Sequence, residues 1–126
     1  MMSKTAGGIL LAATFAAAAL TPATLARAAT TEFDGSWSVV VLTTSGPCDP
    51  SYRFSGQIIR GAISYAYNSL EVTGHVEANG TTFVKVIYGD AHAEAHGRLS
   101  ATHGSGTWSG NGPDGRCAGT WRSTRE

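Results

Sequence analysis

Cys117-Ala118-Gly119-Thr120-Trp121, close to the C-terminus, is the stretch on which the fold turns. Its Gly-Thr-Trp repeats Gly106-Thr107-Trp108 one expected strand earlier, and echoes Gly35-Ser36-Trp37 at the start of the globular part. Its cysteine has one possible partner in the chain, Cys48, just past the end of the first expected strand. In an antiparallel pair the end of one strand lies beside the start of its neighbour. A disulfide needs its two Cα atoms within about 7 Å. Pairing the last strand with the first meets that condition, and it removes the two exposed edges an open sheet would keep. The expectation is an all-β antiparallel meander closed into a barrel. A two-sheet sandwich with the same bridge is the alternative.

Between those ends the pattern has period two, broken by glycine, proline and asparagine. Strands are expected at 36–44, 52–59, 62–67, 70–77, 82–88, 91–101, 104–110 and 116–124, an even number, so that first and last run antiparallel. Trp37, Val39 and Val41 share one face with Tyr52, Phe54 and Ile58 of the next strand. Ser45-Gly46-Pro47 ends the first strand, because proline cannot donate to a ladder. Arg60-Gly61, Asn68-Ser69, Gly89-Asp90 and Thr102-His103 read as turns, and 111–115 as a loop. Asn79-Gly80 is the strongest hairpin signal and is expected to form a type I′ turn. An eight-stranded barrel is just wide enough for side chains to fill. Trp37, Trp108 and Trp121 are expected to occupy its middle, with the small-residue strand from Ala91 to Gly97 opposite Tyr52 and Phe54.

The N-terminus belongs to a different category. Lys4 precedes the apolar run Gly8 to Leu20, Pro22 breaks it, and Ala26-Arg27-Ala28 offers a small-residue cleavage site. The run is short for a bilayer span. Residues 1–28 are therefore expected to be a helical signal peptide, leaving 29–126 as one domain. Cleavage would remove Lys4 and Arg27, leaving seven basic against nine acidic residues. A net charge of −2 without a basic patch argues against a nucleic-acid partner, and nothing after the signal is long and apolar enough for a membrane-spanning helix. Two cysteines in an exported chain read as one disulfide, Cys48–Cys117, and as a periplasmic or extracellular location.

Phe33-Asp34-Gly35-Ser36-Trp37, Gly46-Pro47-Cys48-Asp49-Pro50, Gly97-Arg98-Leu99-Ser100, Gly104 to Gly110, and Cys117 to Trp121 together resemble a group of small exported proteins of rhizobia and related alphaproteobacteria. The resemblance covers nearly all of the chain after the signal and implies no activity. The opening Gly-x-Trp is also similar to that of calycin-type barrels, the lipocalins and avidins. The polar residues by which avidins hold biotin are not found after Trp37, where Ser38 leads into Val39-Val40-Val41-Leu42.

Candidate chemistry is sparse. His92-Ala93-Glu94-Ala95-His96 places His, Glu and His on one strand face, with neighbours about 7 Å apart. A His-x-Glu pair could share a metal with help from an adjacent strand, while a solvated polar face is the plainer reading. Trp37, Trp108 and Trp121, each two residues after a glycine, could line a ligand site or simply pack the barrel. Val40, Leu42, Phe83 and Ile87 are expected to point outward as apolar surface. No nucleophile elbow or phosphate loop is present. The expectation is a non-enzymatic exported barrel without a cofactor, acting through protein or surface contacts with an unidentified partner. A carrier of a small apolar ligand and a weak metal binder are the alternatives.

Overall fold

The computed structural model describes residues 29–126, so the expected signal helix and its cleavage site lie outside the described residues. Eight strands follow one another: β1 (Gly35–Ser45), β2 (Ser51–Ile59), β3 (Ala62–Tyr67), β4 (Leu70–Val76), β5 (Thr81–Tyr88), β6 (Ala91–Leu99), β7 (His103–Gly112) and β8 (Gly115–Arg125). Each pairs antiparallel with the next, and β8 pairs with β1, giving a closed barrel. The closing ladder runs from Trp37 opposite Arg125 to Thr43 opposite Gly119, then shifts register before Ser45 meets Ala118. That irregularity lies beside the Cys48–Cys117 disulfide, whose Cα atoms are 6.1 Å apart. Closure thus selects the barrel over the sandwich.

Alternation decides what faces inward. Trp37, Val39 and Val41 of β1 point into the barrel with Phe54 and Ile58 of β2, as the period predicts. Most strand ends differ from the sequence expectation by one or two residues, β6 stopping at Leu99 short of the expected 101, and two of the differences have a local cause. The loop expected over 111–115 shrinks to Pro113-Asp114, because Gly112 pairs with Gly115, whose φ of +140° lets β8 start at once. His103 opens β7 rather than sitting in a turn, its carbonyl accepting from Ser100 N at 2.7 Å.

Two turns show why residue identity and turn type can part company. Arg60-Gly61 has positive φ at both residues, +52° and +76°, as a type I′ turn requires. Left-handed backbone at a non-glycine residue costs on the order of 1 kcal/mol. The Asp34 carboxylate offsets it by accepting from Arg60 N at 2.8 Å and Gly61 N at 3.2 Å. At Asn79-Gly80 the expected type I′ turn is not formed: only Gly80 has positive φ. Gly80 N donates to Glu77 O, and Asn79 serves through its side chain, whose Oδ1 accepts from Thr81 N at 2.9 Å.

One end of the barrel is shut. Phe33, just before β1, packs with Trp37, Ile58, Val76, Leu99 and Trp121 in a buried cluster. Arg125, at the end of β8, closes this end from outside. Its guanidinium lies over the Trp37 ring, 5.4 Å from the centroid, and donates to the carbonyls of Glu32, Asp34 and Ala101. Tyr52, Tyr67 and Tyr88 stand exposed toward the other end. That end also carries the disulfide and the β1–β2, β3–β4, β5–β6 and β7–β8 connections.

Candidate functional site: an apolar cavity open at one end

The three tryptophans line the interior without filling it. Each indole N–H is tied to a backbone carbonyl: Trp37 to Phe33 at 2.8 Å, Trp108 to Leu42 at 3.0 Å, and Trp121 to His96 at 3.2 Å. For Trp108 and Trp121 the acceptor lies two strands away, so the ring must run along the barrel wall. Glycine on the intervening strand makes that possible. A Cβ at Gly119 would lie 2.8 Å from the Trp108 indole nitrogen, and one at Gly106 would lie 2.6 Å from that of Trp121. The Gly-x-Trp repeats are therefore a packing device in which glycine on one strand clears the path of an indole from the next. It leaves the barrel axis open.

The outcome is a cavity of about 240 Å³. The sequence expectation of a filled barrel is corrected here. β2 and β6 stand opposite each other in the ring of eight strands, and Phe54, Ala93 and Ala95 all border the space left between them. The volume lies between the roughly 150 Å³ that holds benzene in an engineered protein and the roughly 300 Å³ at which pockets for larger ligands begin. Trp37, Trp108 and Trp121 all line it, with valines of β1, β4 and β5. A second recess of about 210 Å³, bounded by Cys48, Tyr88 and Pro113, shares Val86, Ala93 and Trp108 with the first and continues it toward the open end.

Polar atoms inside are few and mostly engaged. Thr82 Oγ1 donates to Gly80 O at 2.9 Å. Ser123 also lines the cavity; it is 4% exposed, and its Oγ has no hydrogen-bond partner. The sequence reading missed Ser123. The available signal was period two along β8, which places Gly119, Trp121 and Ser123 on one face.

The mouth is aromatic. Tyr52 packs on Phe54 with centroids 6.0 Å apart, and Phe54 on Tyr65 at 5.3 Å; of the three, Tyr52 and Phe54 line the cavity. Although Tyr52 stays exposed, partial desolvation at the mouth raises its phenol above the ordinary 10.0, and the Tyr65, Tyr88 and Tyr67 phenols add to the rise.

His92, Glu94 and His96 lie on the outer face of β6, all exposed. His92 meets Asn111 at 3.4 Å, and His96 packs edge-on to Phe83 at 5.0 Å. His75 reaches the other side of Phe83 at 5.8 Å. Among the described residues no three His, Cys, Asp or Glu side chains converge as a metal site would require. Phe83 is thus half-covered by imidazoles. Val40 and Leu42 are likewise half-buried on the outer face, while Ile87 is exposed.

No protein-family model, curated protein or solved structure matches the chain.

Proposed function

We propose that this protein is an exported carrier that holds a small, mostly apolar ligand inside the barrel. One observation carries the reading: the interior is hollow, apolar and shut at one end. Filling such a space recovers about 25 cal/mol per Å² of apolar surface removed from water on the ligand, and the preformed wall spares the cost of ordering side chains around it. The indole faces and valine side chains supply contact, and the tyrosine mouth supplies the way in. The reading is of a binding protein and not of an enzyme, because the residues lining the cavity offer hydroxyls but no acid–base pair.

The surroundings suit work in water outside the cytoplasm. Arg53, Glu71, Lys85, Glu94 and Arg122 point outward from five different strands, which lipid around the barrel wall would penalise. A disulfide that ties the first strand to the last belongs in an oxidising compartment, in keeping with removal of residues 1–28 on export. Native mass spectrometry of the protein purified from its own host tests the carrier reading. A reproducible small adduct, lost when Ala95→Leu narrows the cavity, supports it. A bare mass together with a stable protein complex would replace it with the surface-contact reading.

A further inference from the structure

Ser123 borders the cavity with its Oγ covered and without a hydrogen-bond partner. It sits near the closed end, between Val39 of β1 and Gly104 of β7, neither of which offers a side-chain partner. Leu99 crowds the same spot, since a Cβ at Gly104 would collide with both Leu99 Cδ2 and Ser123 Oγ. A buried hydroxyl without a partner costs on the order of 1–3 kcal/mol. Alanine would fit the position without that cost, and away from the exposed tyrosine mouth the other polar side chains lining the cavity are paired: three indole N–H groups and Thr82 Oγ1.

Resting on the carrier reading, we propose that the ligand bears one neutral hydrogen-bonding group, a hydroxyl or a carbonyl, and seats it on Ser123 Oγ, which turns from its covered position into the cavity to meet it. The apolar body then points toward the tyrosine mouth. Ser123 can donate to a carbonyl or exchange donor and acceptor roles with a hydroxyl. A carboxylate does not suit the site, because no cationic side chain lines the cavity and an unpaired buried charge is costly. The Arg125 guanidinium is on the far side of Trp37 and engaged with three carbonyls. Size follows from volume: scaling from the cavity that takes benzene gives roughly ten non-hydrogen atoms. Entry is polar end first, which suits a deep, narrow site whose hydrogen-bonding atom is at the bottom.

A matched pair of probes tests this. Naphthalene and 2-naphthol differ by one hydroxyl and have about the required size. Calorimetric titration of the disulfide-bonded protein, wild type and Ser123→Ala, gives four affinities. The expected result is that 2-naphthol binds wild type more tightly than naphthalene does, and that Ser123→Ala weakens 2-naphthol on the order of tenfold while leaving naphthalene unchanged or tighter. A Ser123→Thr variant, which keeps the hydroxyl, should retain most of the preference. Should both probes bind and Ser123→Ala affect them equally, the hydroxyl is satisfied by water or by nothing; this inference then falls and the carrier reading stands. Should neither probe bind the wild type, both fall together.

Discussion

Removing the Cys48–Cys117 bridge by a Cys48→Ala/Cys117→Ala double substitution should destabilise the barrel without changing its architecture. In the folded state β1 and β8 are already side by side through their own ladder, and the disulfide adds no strand pairing. Its effect is on the unfolded chain, where it closes a loop of 69 residues. The chain-entropy relation, −2.1 − 1.5R ln n, then gives about 4.4 kcal/mol at 25 °C. A domain of this size has a total stability of about 5–15 kcal/mol, so the loss is a large share of the whole. At about 4–8 °C per kcal/mol it lowers the Tm by about 18–35 °C. Urea unfolding followed by near-ultraviolet circular dichroism measures it, because the three packed indoles report the folded barrel. The folded spectrum should match wild type while the unfolding free energy falls by several kcal/mol. A loss below about 1 kcal/mol would refute the reasoning, as would a folded spectrum without its tryptophan bands.

Gly106→Ala should destabilise by about 1–3 kcal/mol, the usual cost of overpacking, because the new Cβ meets the Trp121 indole and the His96 carbonyl; unchanged stability in thermal unfolding would count against the indole path described. Arg125→Met keeps the stem but loses three charged hydrogen bonds and the contact over Trp37; a loss of about 2–3 kcal/mol and faster exchange of the Trp37 indole proton are expected, and a slower exchange would contradict the lid. The Tyr52 phenol titrates above 10.0 in the folded protein, chiefly because it is desolvated. In the unfolded chain it ionises first as pH rises through 10.0, so the stability it contributes below that pH is lost above it. Tyr52→Phe should therefore lose less stability than wild type between pH 9 and pH 11, and an identical loss would remove the tyrosine cluster as its source.

Much of the fold could be read from residue order because its determinants are local or pairwise. Period two in Leu70–Val76 and Ala91–Leu99 fixes the faces, and two cysteines admit one pairing. Turn geometry was less legible. Asn79-Gly80 and Arg60-Gly61 are both turn pairs, yet the type I′ backbone formed at Arg60, where Asp34, 26 residues away, reaches in to hold it. The cavity was the least legible feature. Whether three tryptophans fill a barrel or line it depends on where each indole N–H finds a carbonyl, and those carbonyls belong to other turns or strands. Ser123 shows the same limit: its inward face follows from periodicity, but its lack of a partner depends on what Val39 and Gly104 do not offer across the strands.

The hollow can be probed directly by diffraction from crystals held under xenon gas, since apolar cavities of this size take up xenon. The account predicts xenon inside the barrel among Trp37, Val72 and Trp121, with the indoles still bound to the carbonyls of Phe33, Leu42 and His96. An interior free of xenon, with an indole swung across the axis, would contradict it.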